Sequence, residues 1–328
     1  MEDNRPNFFS ILTKTQKIYF GILCAALVAL LLLAGKFLNE RPAETPAKAI
    51  PAEYAGLTLE ARAAYVLDAK KGESIFSLNG EAQLPLASLT KVMMAITALS
   101  ILPENSIVTI KPEALLAEGD SGLYGYEKWR LNDLLNLTLI ESSNDGSNAI
   151  AEKAGQMASV INATAGPSTD SFVKQFVSEM NKKTRELGLT QTYFLNPTGL
   201  DETVYVSGGY GSAKDVSKML FYAISNYPRL FEGTIYNSRK FQSASSMDHL
   251  ATNTNGIVDK LPSLLASKTG YTDLAGGNLT IAFDAGPGRP IIVSVLGSTE
   301  QGRFTDAEKL IWATIDYLNG EQADEKAL

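Results

Sequence analysis

Pro85-Leu86-Ala87-Ser88-Leu89-Thr90-Lys91-Val92-Met93-Met94-Ala95-Ile96 sets a serine and a lysine three residues apart at the head of an apolar run. That spacing places both side chains on one face of a helix, within reach of each other. Residues from Ser88 to Leu102 carry apolar groups on most faces, so the helix they predict is a buried one. Burial disfavours an ammonium ion and lowers its pKa, which makes Lys91 a base able to take the proton of Ser88. A serine at the start of such a helix also lies beside free backbone N–H groups, which suit a developing oxyanion. By itself the spacing is common, and a capping serine with a solvated lysine produces it as readily.

Two later segments change that balance. Leu131 to Ile140 predicts a helix with Asn132 or Asp133 near its start, and Ser142-Ser143-Asn144 follows it, with Asp145-Gly146 reading as a bend. Lys268-Thr269-Gly270 follows Leu264-Leu265-Ala266 and reads as the end of a strand. Around them, Ala63 to Asp68 and Ser74 to Leu78, joined through Lys71-Gly72, predict a hairpin. Asn278 to Phe283 and Pro290 to Leu296, joined through Gly286-Pro287-Gly288, predict another. Phe172 to Leu187 is an amphipathic helix stopped by Gly188, and Gln156 to Asp170 reads as a surface loop. Thr305 reads as the cap of a last helix, Asp306 to Leu318, closed by Asn319-Gly320. Strands at both ends with helices between them predict one α+β domain, an antiparallel sheet packed against a mainly helical region.

The whole chain narrows the function further. Its 328 residues are 45% hydrophobic and 20% charged, which suits a globular protein. A net charge of -7 argues against nucleic-acid binding. The single cysteine, Cys24, excludes an intramolecular disulfide and a cysteine metal cluster, and the single histidine, His249, excludes a multi-histidine metal site. No metal or other cofactor is expected. A lone histidine near a loop reads as a surface or hydrogen-bonded residue, and Asp145 and Asp273 read as turn or capping residues.

Ile18 to Gly35 is an uncharged run of 18 residues. A bilayer core takes roughly 20 apolar residues as a helix, and a cleaved signal peptide about 7–15, so the run predicts an uncleaved anchor over 18–38. Ala47-Lys48-Ala49, a possible cleavage site, lies far past it. Arg5, Lys14 and Lys17 before the run balance Lys36, Arg41 and Lys48 after it, so charge does not orient it. A short leader (1–17) inside and the long body outside are expected. Residues 39–51, rich in Pro, Ala, Glu and Lys, read as a spacer, 52–320 as the catalytic domain and 321–328 as a disordered tail.

Taken together, the motifs resemble those of the D-alanyl-D-alanine carboxypeptidases, the low-molecular-mass penicillin-binding serine peptidases. The resemblance runs from Pro85–Lys91 through Glu141-Ser142-Ser143-Asn144-Asp145, Asn196-Pro197-Thr198-Gly199-Leu200 and Asn253-Thr254-Asn255. It continues in Lys268-Thr269-Gly270-Tyr271-Thr272 and Gly302-Arg303-Phe304-Thr305-Asp306-Ala307. It implies the penicillin-recognising serine transpeptidase/β-lactamase-like fold. It also implies a cell-wall stem peptide ending in D-Ala-D-Ala as substrate, and β-lactam antibiotics as covalent inhibitors. Ser88 would be the nucleophile, Lys91 the general base, and Ser142 a proton relay in a network with Lys91. Asn144 would hold the substrate's peptide group or position Lys91, and Lys268 and Thr269 would bind the terminal carboxylate. Gly270 would let the strand approach the substrate, with the N–H groups of Ser88 and Tyr271 as the oxyanion hole. The enzyme would sit in a bacterial cell membrane as a single-pass protein, its N-terminus cytoplasmic and its catalytic domain outside.

Some features depart from the family. Ser143 stands where glycine or alanine is usual, with its side chain expected to point away from the site, and Asp201 to Ser212 differs from the usual pattern. Many relatives carry a second, β-rich domain and a C-terminal amphipathic helix, in place of which an N-terminal anchor is expected here. Three other readings stay open. A DD-endopeptidase uses the same residues, and a β-lactamase adds a glutamate in a Glu-x-x-Leu-Asn pattern, which is absent between Asn144 and Lys268. A non-catalytic penicillin-binding sensor would keep the fold without turnover.

Overall fold

Ala63-Ala64-Tyr65-Val66-Leu67-Asp68 has no exposed position, as a strand covered on both faces requires. In the computed structural model, which describes residues 13–39, 50–161 and 169–327, this strand, β1, lies inside a five-stranded antiparallel sheet. Its hairpin partner β2 is Glu73–Leu78, an edge strand that is more exposed. Ten further strands follow in the chain. Four are short: β3 (Leu84–Pro85), β4 (Ile107–Thr109), β5 (Lys128–Arg130) and β6 (Tyr193–Phe194). β7 (Gly209–Gly211), β8 (Ser238–Gln242) and β9 (Asp248–Thr252) lead to the three long ones. These are β10 (Leu264–Thr272), β11 (Gly276–Asp284) and β12 (Pro290–Ser298). The large sheet has the order β10-β11-β12-β1-β2, so the first and last strands of the domain meet at its centre.

Period-two alternation divides the core between two faces. Ala64, Val66, Ile281, Phe283, Val293 and Val295 point to one side, where they pack with Phe304, Ala307, Leu310 and Ile311 of the last helix. Ala63, Tyr65, Leu67, Ala282, Ile292 and Leu296 point to the other, against the helical region. The helices, in chain order, are α1 (Lys14–Asn39), α2 (Thr90–Ile101), α3 (Leu131–Glu141) and α4 (Asn144–Ile161). They continue with α5 (Thr169–Glu186), α6 (Ala213–Asn226) and α7 (Gly302–Ala327). Helix α2 is buried along most of its length, as its apolar surround predicts, and α6 lies on β1 and β12.

The chain divides into two compact units, 1–49 and 50–328, and α1 belongs to the first. Among the described residues no helix is long and apolar enough to cross a membrane. Side chains of the expected anchor are described only as far as Leu30, and most of the spacer lies outside the described residues.

Several boundaries differ from those expected. Asp145-Gly146 is not a bend but the first turn of α4, because Ser143 Oγ accepts from Gly146 N at 2.9 Å. The expected loop over 156–170 is helical to Ile161 and again from Thr169, with 162–168 outside the described residues. Thr305 is exposed inside α7, whose start is capped instead by Thr299 Oγ1 accepting from Gly302 N at 2.9 Å.

Nor does that helix stop at Asn319-Gly320, and residues 321–327 are helical where a disordered tail was expected. Glu321 explains the extension. It accepts from Arg289 (2.9 Å), Tyr317 (2.8 Å) and Lys71 (3.2 Å). Burial acts to raise its pKa, but the bonds from Arg289, Tyr317 and Lys71 outweigh it and bring the carboxyl down to about 2.

Asp306 ties α7 to the segment entering β1 and to the end of β12. Its fully buried carboxylate accepts from Glu60 N, from Ala61 N at 2.9 Å and from Ser298 Oγ at 2.8 Å. Asp306→Ala strands all three donors, and a loss of about 3 kcal/mol is expected, read as a lower urea midpoint at unchanged slope.

Candidate active site

Residues 86–89 form a strained turn. Ala87 has φ 48°, in the left-handed region that costs an L-residue about 1–2 kcal/mol. The 3₁₀ turn Ala87–Leu89 carries Ser88 and runs directly into α2, so Ser88 stands just ahead of the regular helix. Two glycines press on this turn. At Gly270, on β10, a Cβ would lie 2.9 Å from Leu86 O and 3.1 Å from Ser88 N. At Gly199, with φ +82°, a Cβ would lie 1.9 Å from Ala87 O. Only glycine allows backbone from both sides to come this close. Asn278, fully buried on β11, adds a third restraint by donating to Pro85 O at 3.0 Å.

In the first turn of α2, Lys91 is completely buried. Its Nζ bonds Ser88 Oγ (2.8 Å), Asn144 Oδ1 (2.7 Å) and the carbonyl of Thr198 (2.8 Å). Burial pushes its pKa down to about 7, as the apolar surround predicts. In the neutral amine two hydrogens serve Asn144 and Thr198, and the lone pair faces the hydroxyl of Ser88. Asn144 is held at its other end, where Nδ2 donates to Glu118 O at 2.7 Å. With both ends of its amide engaged, Asn144 orients Lys91.

Ser142, φ 63°, ends α3 in the left-handed conformation usually left to glycine. That conformation turns its hydroxyl to Lys268, whose Nζ lies 2.8 Å away, whereas the network expected from sequence joined Ser142 to Lys91. Lys268 also donates to Thr269 O at 2.9 Å. Its pKa is held well below the ordinary value by burial, then by repulsion from Lys91 and Arg303. Thr269 is buried on the same strand, its hydroxyl 2.6 Å from that of Thr254. Tyr271, the next residue but one, is exposed on a cleft of about 410 Å³ that Asp201, Val204 and Asp273 also line.

Sequence reasoning gave no role to three groups here. The Thr198 carbonyl is aimed by an Asx turn, in which Asn196 Oδ1 accepts from Thr198 N (3.2 Å) and Gly199 N (2.7 Å). Its signal was Asn196-Pro197-Thr198-Gly199, a turn sequence whose exposed purpose was hidden. Arg303 donates to Gly270 O at 2.8 Å, its guanidinium buried over the Phe304 ring and its Nε without a partner. Thr254 had no signal beyond the family pattern.

His249 is a structural residue, as expected. It is buried against Trp129 and bonds Glu127 at 2.7 Å. Asp145 is buried in the first turn of α4, where burial raises its carboxyl pKa. Ser143 points into the α3–α4 contact and away from the cleft.

Comparison with known proteins fits this geometry. The family model of D-alanyl-D-alanine carboxypeptidase matches residues 47–300. D-alanyl-D-alanine carboxypeptidase DacF of Bacillus subtilis is 28% identical over 264 residues, covering 78% of this chain and 62% of its own. The D-alanyl-D-alanine endopeptidase of Pseudomonas aeruginosa is 27% identical over 281 residues, covering 81% and 82%. The chain thus spans about three fifths of the length of the Bacillus relative. Among solved structures, D-alanyl-D-alanine carboxypeptidase from Mycobacterium tuberculosis superposes with a TM-score of 0.68 at 25% identity, covering 83% of this chain and 95% of its own. The match takes in the serine turn, the buried lysine, the Ser142–Asn144 segment and β10, and with it the chain belongs to the D-alanyl-D-alanine carboxypeptidase family.

Proposed function

We propose that this protein is a serine-type D-Ala-D-Ala carboxypeptidase that removes the terminal D-alanine from cell-wall stem peptides through an acyl-enzyme on Ser88. The observation that carries it is the bond of Ser88 Oγ to a buried Lys91 whose pKa has fallen to about 7. Ser88 Oγ attacks the carbonyl carbon of the last peptide bond while Lys91 Nζ takes its proton. The N–H groups of Ser88 and Tyr271 receive the oxyanion, a role supported by the close approach of Gly270 to the Ser88 turn. Ser142 passes a proton to the departing amine, and its bond to Lys268 lets that ammonium resupply it. D-Alanine leaves, the proton that Lys91 took from Ser88 returns to Lys268 through solvent, and Lys91, neutral again, serves as base for the water that attacks the ester.

At the carboxylate end stand Lys268 and Thr269, with the buried guanidinium of Arg303 beside them. None of Lys91, Lys268 and Arg303 has a salt bridge among the described residues, so the positive charge there is available to an anion. The substrate's carboxylate restores the charged form of Lys268 that burial and its neighbours disfavour. β-Lactam antibiotics, which carry both an acylating carbonyl and a carboxylate, would acylate Ser88. The endopeptidase reading uses the same machinery and is favoured by the Pseudomonas relative.

The sequence supports an anchor reading: Ile18 to Gly35 is uncharged over 18 residues, close to the roughly 20 that a bilayer core takes. We place the N-terminus in the cytoplasm and the catalytic domain outside a bacterial membrane, tethered by the residues before Ile50. Resistance of the protein to carbonate extraction, lost on removal of residues 1–49, is the expected result.

The decisive measurement is D-alanine release from a pentapeptide alongside a crosslinked dimer. Ser88→Ala should abolish release and covalent penicillin labelling, and Lys91→Ala should slow acylation by about 10²–10⁴-fold. Faster cleavage of the dimer than of the pentapeptide would select the endopeptidase, and labelling without release the sensor. Rapid penicillin turnover would select the β-lactamase.

The pH dependence follows from Lys91. Below about 7 its amine is protonated and cannot accept the proton of Ser88, so penicillin acylation should fall about tenfold per pH unit. Above that pH the rate should level off, since the neutral base is then fully populated. A flat profile from pH 5 to 8 would remove Lys91 from the role of base.

A further inference from the structure

Asn253-Thr254-Asn255 lies between the two segments that build the cleft floor. Asn253 Nδ2 donates to the carbonyls of Thr234 and Tyr236, both at 2.9 Å, and Asn255 N donates to Asn253 Oδ1 at 2.9 Å. The backbone here is therefore fixed. Thr254 N donates to Ile140 O at 3.1 Å, just before Ser142. Its hydroxyl reaches the other way, to Thr269 Oγ1 at 2.6 Å on β10.

The direction of that hydroxyl–hydroxyl bond decides what Thr269 can do. Each hydroxyl has one hydrogen. If Thr269 donated to Thr254, it would have none left for an anion. Thr254 would then send its own hydrogen to solvent or to Ile140 O, which is 3.5 Å away and already bonded to Thr254 N. A hydroxyl contact of 3.5 Å is weak beside one of 2.6 Å. A Thr254 that donates to Thr269 keeps the 2.6 Å bond and leaves the hydrogen of Thr269 for the cleft.

We propose that Thr254 is a positioning residue that holds the Thr269 hydroxyl as a donor to the substrate's terminal carboxylate. The inference rests on Thr269 binding that carboxylate, as proposed above. Thr254 need not touch the substrate. It fixes the polarity of the hydroxyl that does, so that binding a carboxylate requires no reversal of the pair.

The test compares Thr254→Val and Thr254→Ser with wild type on an N-acylated peptide ending in D-Ala-D-Ala and on its C-terminal amide. Thr254 is exposed and its backbone N–H survives in both variants, so neither disturbs the packed core. Thr254→Val should raise KM for the free acid about tenfold with kcat nearly unchanged, the signature of binding lost equally in ground and transition states. Its kcat/KM on the amide should stay within about twofold of wild type, which shrinks the preference for a free carboxylate. Thr254→Ser, which restores the donor, should behave as wild type. Equal kinetics of Thr254→Val and wild type on the free acid would overturn the proposal. So would an equal loss on acid and amide, which marks a merely structural role. Wild-type protein that neither releases D-alanine nor labels with penicillin would overturn the reading beneath it, a result visible before any variant is made.

Discussion

A lysine amine sealed into the first turn of a buried helix is the constraint around which this domain is organised. Leaving Lys91 uncharged costs little only if its remaining hydrogens find acceptors, and the chain supplies them from two distant segments. Asn144 arrives from the start of α4 and the Thr198 carbonyl from an Asx turn. Each is held in turn, Asn144 by Glu118 O and the turn by Asn196. The proposed base is thus held by backbone placement far along the chain, although Lys91 itself is one helical turn from Ser88.

The same constraint explains where strain is stored. Ala87 and Ser142 both adopt left-handed conformations without being glycine, and they flank the reacting groups on either side of the cleft. Each is over-determined by its surroundings. Gly199 and Gly270 confine the turn at Ala87, and Ser142 follows a helix whose penultimate residue, Ile140, is bonded to Thr254. Strain of this kind persists where neighbours hold it, and its cost is offset by the sheet packed on both faces behind it.

Much of this was legible in the sequence, and the rest fails for identifiable reasons. The hairpins, the buried helix after Ser88 and the lowered pKa of Lys91 follow from local pattern: alternation, apolar surround and three-residue spacing. The errors arise where tertiary contacts overrule local signals. Asn319-Gly320 is a sound stop signal, yet the helix continues because Arg289, Lys71 and Tyr317 grip Glu321 from outside it. Asp145-Gly146 looks like a bend but begins a helix, because Gly146 packs where a Cβ would lie 2.2 Å from Thr138 Oγ1. The partner of Ser142 was misjudged because no sequence pattern says which of two lysines a left-handed serine will face. Thr254 and the Thr198 carbonyl were illegible for a related reason, since a backbone acceptor and a lone hydroxyl have no signature outside the fold.

Electrostatics adds a final element. The chain as a whole carries a net charge of -7, but its cleft gathers Lys91, Lys268 and Arg303, all buried. Desolvation depresses both Lys268 and Arg303 from their ordinary values; repulsion from Lys91 and Arg303 adds to the shift at Lys268, while Glu300 and Tyr271 oppose it at Arg303. A cleft of this kind is least comfortable when empty. In the proposed reaction an entering carboxylate relieves the repulsion at Lys268, while a neutral Lys91 keeps its lone pair on Ser88. The anion binding and base catalysis proposed here therefore ask opposite protonation states of two lysines in one site. The fold separates them by giving Lys91 three neutral partners and leaving Lys268 open, through Ser142 and Thr269, to the charge that the substrate brings.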